Sequence, residues 1–153
     1  MRTIKSLYVQ CFDFPGDQIP RTTAQQKRYN SKSGKYYQPP ELIRARNYYT
    51  IKLNTAARDN HVTEPFAGPV SLSVLYIYKT QTKKHYGSPK LTRPDCDNSV
   101  KLIQDCIMDA GIIADDSQVF DLHVVKTWGP ENRVDIMIRL LEEEQATTSG
   151  GKK

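Results

Sequence analysis

Four carboxylates stand at the two ends of one amphipathic segment in this 153-residue chain. Asp95 and Asp97 precede the segment, and Asp115 and Asp116 follow it. Carboxylate oxygens are the ligands that Mg2+ prefers, and one or two such ions can activate a water for phosphodiester hydrolysis. Lys101, four residues after Asp97, could reach a phosphate or form a helical ion pair with Asp97. These residue types therefore allow a metal-dependent nuclease site.

The same acids also have ordinary structural uses. Aspartate is favoured at a helix start, where it caps free amide groups and complements the helix dipole. The Asp-Asp-Ser run at 115–117 is typical of a turn. A calcium-binding EF-hand loop starting at Asp95 is excluded, because its sixth and twelfth positions are Val100 and Ile107 instead of Gly and Glu. Helix caps and metal ligands remain the two alternatives.

The segment between the acidic pairs is predicted to be a helix over residues 98–110. Its apolar residues recur at steps of three and four, Asp95 or Asp97 is a natural N-cap, and Gly111 suits the left-handed position after the helix. A helix of about 13 residues is about 20 Å long. The two acidic pairs can meet only if neighbouring structure, or a second subunit, folds the far end back.

The rest of the chain predicts an α+β fold. We predict a second helix over residues 41–58 and strands over residues 3–11, 70–78, 118–128 and 134–140. Phe120, Leu122 and Val124 are expected on one face of the third strand, and the last two strands are expected to form a hairpin. The prediction is a single domain, residues 1–141, with a mixed, mostly antiparallel sheet of about four strands and two main helices on one face. Residues 142–153 are expected to form a flexible polar tail.

Charge is divided unevenly along the chain. Residues 1–94 carry 16 Lys and Arg against 5 Asp and Glu, whereas residues 95–153 carry 6 against 12. A basic half can neutralise DNA phosphates while an acidic half holds metal, although basic residues can also simply solvate a surface. The candidate DNA contacts are Arg21, Lys27, Arg28, Lys32, Lys35, Lys83, Lys84, Lys90, Arg93 and Lys126.

Two basic stretches leave their structure open. Residues 21–40 interleave lysines with Tyr29, Tyr36 and Tyr37, which suits either a loop that stacks on nucleic-acid bases or a surface hairpin whose tyrosines cover the core edge. Residues 79–90 form a basic linker that is expected to be mobile until nucleic acid orders it, with a plain flexible loop as the alternative. Lys126 is expected either to contact phosphate or to be a solvated lysine at a strand edge.

The remaining composition narrows the class of protein. Three cysteines without CxxC spacing predict free thiols in a reducing compartment. The sequence has neither a run of about 18 apolar residues nor a signal peptide, so we expect a soluble, cytoplasmic protein that does not contact a membrane.

The order and spacing of the central residues resemble a known family. The RusA-type Holliday junction resolvases of phages and prophages have a similar signature, matched here by Asp95-x-Asp97-Asn98-x-x-Lys101 and Asp109-Ala110-Gly111-x-x-x-Asp115-Asp116-x-Gln118-Val119. The resemblance continues through residues 124–126 and 133–136. It is detailed over residues 90–140 and looser over residues 12–78.

The resemblance implies roles for these residues. Three carboxylates would bind metal and one lysine would be the essential basic residue, namely Asp95, Asp97, Asp116 and Lys101. Asp115 and Asn98 are candidates for an assisting role. The implied cofactor is Mg2+, with Mn2+ as a possible substitute. The implied setting is the cytoplasm of a bacterial host, for a protein of phage or prophage origin.

The resemblance also implies a homodimer acting on branched DNA. A two-fold dimer could nick two opposing strands of a four-way junction, and the exposed side of the apolar stripe on the central helix is a candidate interface. Three hypotheses follow for the function. The first is a Mg2+-dependent junction resolvase that makes paired symmetric nicks, the second is a nuclease for other branched DNA, and the third is a non-catalytic DNA-binding module.

Overall fold

The computed structural model describes residues 3–22 and 28–142. The predicted DNA contact Lys27 and residues 143–153 of the predicted tail lie outside these ranges. The last strand includes Glu142, so it extends one residue beyond the predicted end of the domain.

The described chain forms one mixed sheet, one small hairpin and two helices. The strands are β1 (Thr3–Cys11), β2 (Arg28–Asn30), β3 (Lys35–Tyr37), β4 (Val70–Lys79), β5 (Val119–Gly129) and β6 (Arg133–Glu142), and the helices are α1 (Pro40–Asp59) and α2 (Cys96–Asp109). Short 3-10 turns occur at Pro15–Asp17, Lys83–His85 and Asp116–Gln118. The main sheet has the order β1-β6-β4-β5, with only the β4–β5 pair parallel. The predicted α+β fold, with a mixed four-stranded sheet and two helices, is confirmed.

The predicted pairing of the last two strands is wrong. β6 pairs with β1 and β4, and β4 separates it from β5. The reason lies in burial: β4 and β6 alternate buried apolar residues along their length and occupy the centre of the sheet, whereas β5 carries Asp121, His123 and Lys126 and takes an edge. Alternation along one strand marks its buried face but does not select its neighbour.

The predicted buried face of β5 is also incomplete. The register with β4 shifts between Val70 and Ser71, so Phe120 has no partner in β4. Phe120 is 58% exposed and Leu122 is 44% exposed, and only Val124 of the predicted three packs against the core. An edge strand has one neighbour fewer to cover its side chains.

Both helices pack on one face of the sheet and share one core. Leu72, Val74, Ile136 and Ile138 of the sheet meet apolar side chains from α1 and α2. The buried residues of α2 are Ser99, Val100, Leu102, Ile103, Cys106 and Ile107. The core uses the apolar stripe of α2, so these residues are not available as the candidate dimer interface.

The ends of α2 follow the predicted signals. The helix begins at Cys96, two residues before the predicted start, with Asp95 at the N-cap position. It ends at Asp109, and Gly111 takes a positive φ of 72°. The Ile112 amide then donates to the Ile107 carbonyl at 3.1 Å, which turns the chain back toward the sheet.

Candidate active site

Asp95 and Asp97 lie at the exposed start of α2. The Asp95 main-chain carbonyl accepts the first helical hydrogen bond from the Ser99 amide at 3.0 Å. Its carboxylate makes no capping hydrogen bond. Within the described part of the chain, neither Asp95 nor Asp97 forms a side-chain hydrogen bond or an ion pair. Asp95 therefore occupies the cap position without using its carboxylate, which leaves both acids accessible to a ligand.

The exposed face of α2 continues from Asp97 through Lys101 to Asp105. Residues four apart lie on one side of a helix. Asp105 is half-buried, and burial is the main cause of its raised pKa, with the charges of Arg46 and Lys101 opposing the shift. The charges of Asp109 and Asp116 add to the increase in pKa. Sequence reasoning missed Asp105, although its four-residue spacing after Asp97 and Lys101 could have found it.

The chain between α2 and β5 folds back as the predicted site requires. The Phe66 amide donates to the Ile112 carbonyl at 2.7 Å, which ties the return segment to the residues before β4. Gln118 joins the same two segments, because the oxygen and the nitrogen of its side-chain amide both form hydrogen bonds to the main chain. Its Oε1 accepts from the amides of residues 114 and 115 at 2.8 and 3.2 Å, and its Nε2 donates to the carbonyls of Phe66 and Gly68 at 2.7 and 2.9 Å. The following 3-10 turn, which begins at Asp116, packs against α2.

The two adjacent acids Asp115 and Asp116 have different environments. Asp115 forms a capping box with Gln118 and accepts a short hydrogen bond from the Ser117 hydroxyl. The Ser117 hydrogen bond is the main reason that the pKa of Asp115 is lowered. In the described structure, the Asp116 carboxylate has no comparable hydrogen bond. Asp115 therefore holds the turn, and Asp116 is the acid that the turn presents.

The described residues contain no group of three or more His, Cys, Asp or Glu side chains arranged to hold a metal ion. Asp116 lies in the 3-10 turn that packs against α2, whereas Asp95 and Asp97 are at the start of the helix. Asp95 and Asp97 nevertheless suit Mg2+ in their chemistry, because they offer hard oxygen donors that no cap or ion pair uses. Mg2+ commonly binds one or two carboxylates, several waters and a substrate phosphate. The three-carboxylate set remains a prediction.

Two of the predicted DNA contacts, Lys90 and Lys126, donate hydrogen bonds within the protein. Lys90 is only 4% exposed, and its Nζ donates to the Thr92 carbonyl at 3.0 Å, the Thr92 hydroxyl at 2.6 Å and the Arg93 carbonyl at 2.6 Å. Lys126 Nζ donates to the carbonyls of Thr92 and Pro94 at 2.7 and 2.6 Å. The pKa of Lys90 is lowered mainly by burial and further by the charge of Lys126. The two ammonium groups thus hold the segment that leads into Asp95.

The basic linker before this segment is bonded to the end of β5. The Gly87 amide donates to the Trp128 carbonyl at 2.8 Å, the Trp128 amide to the Ser88 carbonyl at 3.1 Å, and the Lys90 amide to the Lys126 carbonyl at 3.0 Å. Residues 87–90 therefore run along β5 in a fixed register. Lys83 and Lys84 remain exposed in a 3-10 turn at the start of the linker.

A basic cleft of about 570 Å3 lies beside the held segment. Arg21 and Arg93, both exposed predicted contacts, line it together with Lys79, Trp128 and the buried Lys90. The cleft thus brings together cations from three separate parts of the chain. Two of its lining residues, Thr92 and Arg93, come shortly before Asp95 at the start of α2 in the chain.

The β2–β3 hairpin agrees in part with each of the two interpretations of residues 21–40. The described part is a surface hairpin, yet its tyrosines do not cover the core edge. Tyr29, Tyr36 and Tyr37 are 57%, 72% and 45% exposed, and the first two rings lie 5.2 Å apart. Lys32 and Lys35 are exposed in the same hairpin. The hairpin therefore presents rings and positive charge to solvent.

Comparison with known proteins identifies the family. A family model described as "Endodeoxyribonuclease RusA" matches residues 18–139, well over half of the chain. The chain belongs to the RusA family. A Lactococcus phage r1t protein named "Crossover junction endodeoxyribonuclease rusA" is 34% identical over 131 residues, covering 83% of this chain and 95% of that protein. The Bacillus subtilis (strain 168) protein "Uncharacterized protein YqaN" is 39% identical over 84 residues, covering 47% of this chain and 58% of that protein.

Membership of the RusA family confirms the resemblance found in the sequence. It also confirms the predicted enzyme class, an endodeoxyribonuclease. RusA-family nucleases depend on a metal ion, which agrees with the carboxylates at the start of α2. The three cysteines are free, as predicted. None of the helices in the described residues is both long and apolar enough to cross a membrane.

Proposed function

We propose that this RusA-family endodeoxyribonuclease resolves four-way DNA junctions by paired symmetric nicks, with Mg2+ as its metal and Mn2+ as a substitute. The observation that carries the proposal is the exposed start of α2, where two unpaired carboxylates follow directly on a segment, Thr92 and Arg93, that lines a basic cleft. A phosphodiester nuclease needs this combination, because cations must hold the strand while carboxylates hold the metal. The proposed setting is the bacterial cytoplasm.

The proposed roles follow from the environment of each side chain. Asp95 and Asp97 would hold the metal, and Asp116 would join them from the turn that Gln118 ties in place. When bound, the metal supplies a Lewis acid and a nucleophilic water at neutral pH. Lys101 is exposed and unpaired among the described side chains, so it can bind a phosphate oxygen next to these carboxylates. Asn98, half-buried in the first turn of α2, is the remaining assisting candidate.

The DNA path that we propose uses the exposed cations on either side of the acidic site. Arg21 and Arg93 would hold the strand in the cleft, and Lys83 and Lys84 would contact it at the linker. The β2–β3 hairpin adds lysines together with tyrosine rings on which unpaired bases can stack, a contact worth about 1–3 kcal/mol per base.

We propose a homodimer through the open face of the main sheet. This face carries the partly exposed apolar side chains Leu75, Ile77, Val125 and Met137, together with the ring of Tyr8. Two such faces stacked around a two-fold axis would bury them and repeat the active site, as two nicks require. Leu75→Glu should convert dimer to monomer in analytical ultracentrifugation. Ile51→Glu, on the exposed surface of α1 at 63% exposure, should not.

The test of the function is cleavage of a labelled mobile four-way junction. We expect paired symmetric nicks with Mg2+ or Mn2+, no cleavage in EDTA, and at least a hundredfold slower cleavage by Asp97→Asn with junction binding retained. Asp59→Asn, an exposed acid at the end of α1, is the control and should cleave normally.

The other two hypotheses give different results in the same assay. Faster cleavage of flaps or single-stranded DNA than of the junction would favour a nuclease for other branched DNA. Binding by the wild type without metal-dependent cleavage would favour the DNA-binding module.

A further inference from the structure

The segment Thr92-Arg93-Pro94 ends at the first carboxylate of α2 and carries no regular secondary structure. All three of its carbonyl groups accept hydrogen bonds from lysine ammonium groups. Lys126 bonds those of residues 92 and 94, and Lys90 bonds those of residues 92 and 93. The carbonyl of Thr92 is shared between the two lysines. The main-chain carbonyls of this irregular segment are thus held by two charged side chains.

The two lysines are themselves held in place. The Lys90 amide donates to the Lys126 carbonyl at 3.0 Å, so the residues are joined through the main chain. The Lys90 ammonium lies 4.6 Å from the centre of the Tyr78 ring and 5.2 Å from that of Trp128. In the described structure neither lysine forms an ion pair with a carboxylate. Their charges are therefore balanced by carbonyl oxygens and aromatic rings instead of by an acid.

We infer that Lys126 and Lys90 are positioning residues for the metal site, which set the orientation of Asp95 through the 92–94 segment and do not contact DNA. The inference rests on the proposed function only in taking Asp95 as a metal ligand. A lysine that contacts phosphate has an ammonium group free for that contact, whereas the ammonium groups of these two lysines donate to main-chain carbonyls, that of Lys90 from a buried side chain and that of Lys126 from a half-buried one. Charge-assisted bonds to a main-chain segment are also directional, so they can fix the carboxylate that follows.

Electrostatic repulsion between the lysines and the metal would have the opposite effect on metal binding. Two positive charges near a cation site weaken cation binding, so removing one of them should strengthen it. A positioning role predicts that removal weakens binding, because groups that orient metal ligands commonly contribute 10- to 100-fold in metal affinity. The sign of the change therefore separates positioning from electrostatics.

The experiment measures Mn2+ binding to the DNA-free protein by the electron paramagnetic resonance signal of free Mn2+. Lys126→Met keeps the length of the side chain and removes the ammonium group. We expect its Kd for Mn2+ to rise on the order of tenfold, and Lys126→Arg to recover most of the loss. Lys52→Met, which removes a lysine that lies over the Tyr48 ring of α1, is the matched control and should leave the Kd unchanged. An unchanged or lower Kd in Lys126→Met would overturn the inference.

Junction binding in EDTA tests the second half of the inference. Each lost phosphate contact lowers the slope of log K against log salt by about 0.9. We expect the slope of Lys126→Met to equal that of the wild type, and a loss of about 0.9 would show a phosphate contact and overturn the positioning role. If circular dichroism shows that Lys126→Met is unfolded, Lys126→Gln replaces it in both the Mn2+ measurement and the salt-dependence measurement.

The wild type separates this inference from the proposed function. Wild-type protein that binds Mn2+ but does not cut junctions would refute the proposed function, and the Mn2+ comparison would still decide the role of Lys126. Wild-type protein that cuts junctions while Lys126→Met binds Mn2+ normally would refute the positioning role alone.

Discussion

Replacing Gln118 by alanine should loosen the turn that presents Asp116. The substitution removes four hydrogen bonds to main-chain groups, two made by Oε1 and two by Nε2. A net contribution of about 0.5–1.5 kcal/mol per bond gives a loss of roughly 2–4 kcal/mol, since the segment is partly exposed and water replaces some partners. The urea midpoint should fall by about 1–2 M, taking an m-value of about 2 kcal/mol/M.

The assay has a matched control on α2. Gln104 is also half-buried, and its side chain makes no hydrogen bond among the described residues, so Gln104→Ala should stay within about 0.5 kcal/mol of the wild type. Junction cleavage by Gln118→Ala should be slower than wild type under conditions where the variant is folded, with binding in EDTA retained. Equal urea midpoints for the two alanine variants would refute the reasoning, because the four bonds would then contribute nothing.

Three further predictions concern packing, pH and thiol chemistry. Gly129→Ala would place its Cβ 2.4 Å from Ile77 Cγ2, so urea unfolding should show a loss of about 1–3 kcal/mol that shrinks in the Ile77→Ala background. Burial raises the pKa of Asp105, so the folded state binds its proton more tightly than the unfolded state. The contribution of Asp105 to the free energy of unfolding therefore falls as pH rises. Asp105→Asn should have a higher melting temperature than the wild type at pH 7, and the difference should disappear below pH about 4. Iodoacetamide should label Cys96 first and stop cleavage, because burial raises the pKa of the Cys11 and Cys106 thiols to about 12. Mass spectrometry would identify the labelled cysteine, and equal labelling of all three would contradict this prediction.

The periodicity of apolar residues was sufficient to predict a helix or strand that buries a single face against the core. α2 and β4 alternate or repeat their apolar residues regularly, and both appear within two residues of the predicted ends. Gly111 was predictable because only the left-handed region closes the helix there, and its φ is 72°. These features depend on the local chain and on a single buried side.

The misassigned strand pairing has a different origin. β5 and β6 are separated by a short connection, which favours a hairpin, yet β4 lies between them. Which strand pairs with β6 depends on the relative burial of strands that are far apart in sequence. The same applies to Gln118, whose partners Phe66 and Gly68 lie about fifty residues earlier. Neither a propensity nor a local motif contains that information.

Among the described residues, the predicted DNA-binding cations fall into two groups, those whose side chains point into the protein and those whose side chains are exposed. Lys90 and Arg93 are three residues apart, yet the lysine is buried against carbonyls and the arginine is exposed in the cleft that both line. Asp115 and Asp116 show the same division, because one caps a turn and its neighbour does not. Charge counting along the chain treats the members of each pair alike.

This division changes how substitutions near the site must be interpreted. Loss of cleavage on changing Lys126 would ordinarily be taken as a lost phosphate contact, and the same loss is expected if its two carbonyl bonds orient Asp95. Cleavage rate alone cannot separate the two, because both lower it. Metal affinity in the absence of DNA and the salt dependence of binding in the absence of metal respond oppositely to the two roles. Each cation around the α2 start therefore needs both measurements before it is assigned to the substrate or to the scaffold.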